Sequence, residues 1–204
     1  MSTVRHELEI DYAAGMRALD GAPIETIIQM IRAEMPQAWL ARYHRMCEGP
    51  TNVLRVTFAN FEYLFDFCTE LIDVGQLRPG SREDRTVAAY GISQSNTGKR
   101  DSARMRGFPG SDERGDRGHL VAHAAGGGPD INVFHQEAYL NRGWSPQGKQ
   151  YRQMERYCSS HAGTFFFSRL IYADATARPD EIEFGILMTD GTLWVEVFTN
   201  AKAA

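Results

Sequence analysis

Three runs near the C-terminus limit the fold more than anything else in the chain. TFFFSRLIYA (164–173), EIEFGILM (181–188) and TLWVEVFT (192–199) each have strand length and are rich in aromatic and branched residues. The last two are parted only by Thr189, Asp190 and Gly191. A link that short cannot carry a crossover, so these runs have to pair as an antiparallel hairpin. With 204 residues, 43% of them hydrophobic, the chain suffices for one sizeable core, or for a main domain with a small appendage.

Upstream the pattern changes to helical. In PIETIIQMIRAEM (23–35), apolar residues at 24, 27, 28, 30 and 31 predict a helix with Pro23 near its first turn. PQAWLARYHRMC predicts a second helix, opened by Pro36. Residues 51–65 begin with strand-like alternation and read as a strand running into a helix through Ile72. GQLRPGSRED (75–84) reads as a linker, dividing a helical N-terminal section (1–77) from a domain over 78–204. Beyond it, RTVAAYGIS and GHLVA read as strands and HAAGGGPD as a flexible return. Residues 141–161 read as a helix interrupted at Ser145, Pro146, Gln147 and Gly148. The class is α+β: an antiparallel sheet with one important helix, preceded by a helical N-terminal section.

The net charge of −4 hides an asymmetry: residues 1–77 hold 6 basic and 11 acidic side chains, whereas 78–156 hold 13 and 9. Arginine dominates that basic excess, and its planar fork matches phosphate oxygens. A polyanionic ligand is one reading of it, and a solvated face the other. Cys47, Cys68 and Cys158 are scattered without a CxxC pair and read as reduced, packed thiols. The first residues, MSTVRHELEIDYAAG, are polar and acidic, unsuited to a secretory signal. No apolar run approaches the roughly 20 residues that span a bilayer. Synthesis in a cytoplasm and no membrane partner are therefore expected.

GDRGHLVAH (115–123) packs Asp116, Arg117, His119 and His123 into nine positions. A surface loop does not need that mixture and a core strand tolerates it poorly. A histidine held for proton transfer is the sharper reading, and a satisfied structural histidine the plainer one. Asp116 and Arg117 either clamp a phosphate or pin the loop. The glycines of AAGGGPD suggest a phosphate cradle, yet no Lys-Ser/Thr follows, so they read as a connection. Zinc held by His119, His123 and His135, or by Cys158 and His161, is disfavoured, because residues four apart converge on a helix but not on a strand. Downstream, INVFHQEAYLNRGW sets Asn132, Gln136 and Asn141 at fixed offsets, and Met154 and Glu155 follow in the helix.

Taken together, Asp116-Arg117-Gly118-His119, Asn132-x-x-x-Gln136, Asn141 five residues on, and a helix reaching Met154-Glu155 resemble the DNA/RNA non-specific endonucleases, a branch of the ββα-metal (His-Me finger) nucleases. The likeness covers roughly residues 86–200 and departs at His135, where the family carries proline. It implies a ββα-metal nuclease core on the antiparallel sheet. It also implies that His119 is a neutral general base and that Asn141 holds Mg²⁺, with Mn²⁺ able to substitute. Asp116, Asn132 and Gln136 would support the site from behind, and Arg117 would face phosphate. An upstream arginine, Arg100, Arg104 or Arg106, would meet the transition state.

Glu155 is implied as a second carboxylate near the metal. Straight helix would set it about 21 Å from Asn141, so this role requires 145–148 to loop out and the helix to restart near Lys149. Otherwise Glu155 is a surface carboxylate paired with Arg152 or Arg156. The implied substrate is DNA, with RNA left open because attack on the backbone suits either. A nuclease toxin, delivered by a specialised route and restrained by an inhibitor protein, is the implied setting. Two other classes stay open: a catalytically silent nucleic-acid-binding module, and an interaction protein whose working part is 1–77.

Overall fold

The computed structural model describes residues 10–96, 98, 115–128 and 130–201. Two helices, α1 (Tyr12–Arg17) and α2 (Ile24–Met46), precede a hairpin of β1 (Val53–Phe58) and β2 (Phe61–Asp66). Then come α3 (Cys68–Asp73), β3 (Arg85–Ile92), β4 (Gly115–His119), β5 (Val133–Glu137), α4 (Ala138–Asn141) and α5 (Pro146–Ser160). β6 (Phe165–Ile171), β7 (Glu181–Leu187) and β8 (Leu193–Thr199) close the chain. Six strands form one antiparallel sheet in the order β1-β2-β3-β6-β7-β8, and β4 with β5 forms a separate hairpin. The fold is thus α+β with a mostly antiparallel sheet. Among the described residues no helix is long and apolar enough to cross a membrane.

The predicted C-terminal strands form as expected, with Leu187 opposite Leu193 across the Thr-Asp-Gly turn. Three expectations fail, each for a physical reason. Residues 51–65 make a hairpin of two strands, and the helix expected through Ile72 does form but starts only at Cys68. The hairpin's two-residue turn is Ala59 and Asn60, with Ala59 at φ 51°, and lacks the glycine that usually announces such a turn. Pro36 does not open a second helix; it lies inside a continuous α2. Interior proline costs about 3 kcal/mol, but α2 buries Ile27, Ile31, Trp39 and Tyr43, and each large apolar side chain contributes about 1.5–3 kcal/mol. Burial wins. The N-terminal section is also not wholly helical, because β1 and β2 enter the same sheet as β3, which runs across the 77/78 division.

Almost every residue of β3, β6 and β7 is buried, so both faces of the sheet need a cover. On one face Trp39 of α2 packs on Tyr90 and Phe167, with ring centroids 5.5 and 5.0 Å apart. On the other, Tyr151 of α5 packs on Phe184 at 5.6 Å, and Phe166 joins it. The β2/β3 register slips between Leu64 and Phe65. That slip reverses which face each residue of β3 takes before it. Arg85 therefore turns to the α2 side, where its Nε donates to the Tyr43 hydroxyl at 2.9 Å. Thr86 turns the other way and donates to the Ile131 carbonyl at 2.6 Å, just before β5.

Beneath α2 lies a buried ion pair. Arg169 donates to Glu183 from Nε at 3.1 Å and Nη2 at 2.7 Å, with side-chain exposures of only 6% and 4%. The Tyr12 hydroxyl also donates to Glu183, and burial pushes that phenol well above its ordinary pKa. Removing one member of such a pair leaves the other charge uncompensated. Arg169→Met is therefore expected to cost about 3–5 kcal/mol, read as a lowered urea midpoint. Adding Glu183→Leu should recover most of that loss.

Candidate functional site

β4 and β5 pair with Asp116 opposite Gln136, Arg117 opposite His135, and His119 opposite Val133. Strand alternation sends Asp116 and Gly118 to one face and Arg117 and His119 to the other. Gly118 is required there, since a Cβ would collide with the side chain of Gln136. Gln136 is itself buried. Gly115 likewise leaves room for the His135 ring, which is half-buried against it. His119 is half-buried at the end of β4, so any centre it shares with residues on the Asp116 face has to lie around that end, not over the middle of the strand.

The loop leaving His119 is fixed by Asn132. This buried amide donates to the carbonyls of Val121 at 2.9 Å and Gly128 at 2.7 Å, and accepts from the Val121 amide at 2.8 Å. A Cβ at Gly127 would strike the Val121 carbonyl, and one at Gly128 the ring of Phe58. The glycines of AAGGGPD therefore permit close packing and do not form the flexible return expected of them. Ser168 of β6 adds a hydrogen bond to the Leu120 carbonyl at 2.8 Å, tying this loop to the sheet.

Asp116 is where the two halves of the sequence pattern meet. Its Oδ2 accepts from Asn141 Nδ2 at 3.0 Å and from Arg142 Nε at 2.7 Å, while Oδ1 accepts from Arg142 Nη2 at 2.6 Å. A carboxylate can only accept, so the amide nitrogen of Asn141 must face it. That turns the amide oxygen to the other side, and oxygen is the atom a hard cation takes. The hydrogen bond from Arg142, with a smaller contribution from Asn141, holds the Asp116 carboxyl below its ordinary pKa.

The helix after Asn141 is broken as the sequence suggests, though earlier: α4 ends at Asn141 and α5 starts at Pro146, capped by Ser145 Oγ on the Gly148 amide at 2.9 Å. Gly143 takes φ 72° in the turn, and a Cβ at Gly148 would collide with the Tyr139 carbonyl, so the two helices touch backbone to backbone. This fold-back lets Arg152 bridge the candidates. Its Nη1 donates to the Asn141 carbonyl at 3.4 Å and its Nε lies 3.7 Å from Glu155 Oε2. The pairing of Glu155 with Arg152 is thus formed, and the same arginine links Glu155 to the Asn141 backbone.

Tyr151, one turn before Glu155, reaches the His119 carbonyl with its hydroxyl at 3.5 Å. Burial raises that phenol well above its ordinary value. Arg142 and Tyr151 were not marked by the sequence, although Arg142 directly follows Asn141. Among the candidates, Asp116 and Asn141 come together, Glu155 joins through Arg152, and Arg117 lies across from His135. Arg100, Arg104 and Arg106 fall outside the described residues. Among the described residues no group of three or more His, Cys, Asp or Glu could hold a metal ion.

No family model and no curated protein matches this chain. Among solved structures it is similar to an "extracellular nuclease", at 16% identity and TM-score 0.39, over 62% of this chain and 84% of that one. It is also similar to an "extracellular endonuclease", at 15% identity and TM-score 0.33, over 75% and 71% of the two chains.

The ion pair at Asp116 has a direction in pH. Because its folded pKa is depressed, its contribution is complete above the ordinary carboxylate value of about 4 and fades as pH falls through the lower folded value. Asp116→Asn should therefore have a lower urea midpoint than the wild type at neutral pH. The two midpoints should converge in strong acid, where both side chains are neutral.

Proposed function

We propose that this chain is a metal-dependent endonuclease that hydrolyses phosphodiester bonds with little regard to base sequence. The observation that carries this reading is the hydrogen bond from Asn141 to Asp116, which joins the DRGH strand to the residue expected to hold the cation. The β4/β5 hairpin followed by α4 and α5 supports a ββα-metal core. The oxygens of Asn141 and Glu155 suit Mg²⁺, or Mn²⁺ in its place. Such a cation would neutralise charge building on the phosphate and on the leaving oxygen.

The side chains then have distinct tasks. His119, as the neutral imidazole, takes a proton from the attacking water as its oxygen bonds to phosphorus. The bond from phosphorus to the 3′-oxygen breaks, leaving a 5′-phosphate and, once protonated, a 3′-hydroxyl. Asp116 holds the Asn141 amide with its oxygen turned outward. Arg142, engaged with both oxygens of Asp116, prevents that carboxylate from rotating away. Arg117 offers a donor for phosphate, and Arg104 or Arg106 the charge for the transition state. Contacts of this kind read the backbone, not the bases. DNA is the expected substrate, and RNA has the same reactive bond. An activity this hazardous to its host fits a toxin or effector nuclease with an inhibitor protein.

A plasmid-nicking assay tests the proposal. The wild type should cleave with Mg²⁺ and stop with EDTA. His119→Ala should lose about 10²–10⁴-fold in rate, and Asn141→Ala should lose activity in the same range. A near-normal rate for Asn141→Ala would remove that residue from the cation site. Glu155→Gln should lose less and recover with added Mg²⁺. Absence of wild-type cleavage under every divalent ion would favour a silent binding module instead.

A further inference from the structure

Two aromatic side chains flank Asn141 and face outward, Tyr139 in α4 and Trp144 in the turn after it. Tyr139 is 53% exposed and Trp144 is 58% exposed. Large rings left in water lose the burial that usually stabilises them, so their positions need another account. These two are not loose. Their centroids lie 5.8 Å apart at an interplanar angle of 82°, and the Trp144 amide donates to the Tyr139 carbonyl at 2.9 Å. The Arg142 guanidinium sits 4.7 Å over the indole while its donors hold Asp116. The indole is therefore clamped by the same arginine that organises the candidate site, three residues from Asn141.

The helix that follows carries more cations than anions. Lys149, Arg152 and Arg156 are exposed along α5, with Glu155 their only acidic neighbour on that helix. Arg152 runs beside the turn, its Cγ 3.2 Å from where a Cβ at Gly143 would sit. Rings interleaved with guanidinium groups set aromatic faces beside positive charge. They match a strand of nucleic acid whose phosphates meet the cations and whose bases meet the rings.

We propose that Trp144, supported by Tyr139 and Arg142, is a stacking platform for an unpaired base beside the cleaved bond, so that single-stranded nucleic acid is a preferred substrate. This inference rests on the endonuclease reading above. Stacking on an aromatic face accepts every base and so adds grip without sequence preference. In a duplex the base faces are already covered, and exposing one costs a few kcal/mol. The clamp also settles the indole before the ligand arrives, which reduces the ordering cost of binding.

Binding without chemistry separates this inference from the one beneath it. In the His119→Ala background with EDTA, a 12-nucleotide oligo-dT should quench tryptophan fluorescence. Of the three tryptophans, Trp39 is buried and Trp194 part-buried, so the quenching should come from Trp144 and vanish in Trp144→Ala. Anisotropy of a labelled oligo-dT should show about 5- to 150-fold weaker binding for Trp144→Ala, with most of the affinity kept in Trp144→Phe. Affinity for a blunt duplex should not change, nor should the urea midpoint. Unaltered oligo-dT affinity in Trp144→Ala, or an equal loss for the duplex, would overturn the platform. Plasmid cleavage by the wild type reports separately on the endonuclease reading.

Discussion

The inner strands of the sheet have no wet face, and the placing of the layers on either side follows from that. β3, β6 and β7 are buried along nearly their whole length, so each side demands a layer of its own. α2 supplies one, with Trp39 and Tyr43 among its buried side chains. The other is built from α5 and the loop between β4 and β5, through Tyr151 on Phe184 and the Ser168 hydrogen bond to Leu120. The candidate site is thus a by-product of covering the sheet. Phe134 of β5, Leu120 and Val121 of the loop and Tyr151 and Met154 of α5 all enter the same apolar core, which holds the site more firmly than a loop site on solvent would be held.

Which parts of this were legible depended on how local the governing interaction was. The β7/β8 hairpin was readable because its turn contains Asp190 and Gly191, and turn chemistry is local. The β1/β2 hairpin was less so, because its turn puts Ala59 at φ 51° where glycine would announce it, and leaves only Asn60 as a mark. Pro36 misled because proline's local cost was overruled by burial against strands far away in sequence. The glycines after Ala125 misled for the opposite reason. Their smallness serves packing against Val121 and Phe58, which no composition can reveal. In the site, Asp116, Asn132 and Asn141 stood out through spacing. Arg142 and Tyr151 did not, since their partners lie 26 and 32 residues away.

Asp116 carries three demands that pull together. Arg142 takes both oxygens, Asn141 takes one, and the depressed pKa keeps the group charged where a neutral acid would have to donate a proton and lose an acceptor. Charge here serves orientation. A neutral asparagine at 116 has one acceptor oxygen with two lone pairs, so it could keep at most two of the three donors that Arg142 and Asn141 present. The exposed half of the pair is screened by water, so its worth to folding is small. Its worth to geometry is larger, because the amide of Asn141 has two ends of similar size, and only a fixed acceptor decides which end faces outward.

The break between α4 and α5 gives up regular helix to build a corner. A continuous helix from Ala138 to Ser160 would satisfy more backbone groups, yet Gly143, Ser145 and Pro146 interrupt it after one turn. The interruption folds α5 back until Gly148 touches the Tyr139 carbonyl, which brings Arg152, already paired with Glu155 one turn along α5, within reach of the Asn141 carbonyl. It also leaves Trp144 at the corner, where no neighbouring helix turn can cover it. A helix without the break would carry Glu155 about 21 Å from Asn141 and leave Arg152 no path between them. The forfeited helical hydrogen bonds are thus exchanged for a corner at which guanidinium, carboxylate, amide and indole all meet.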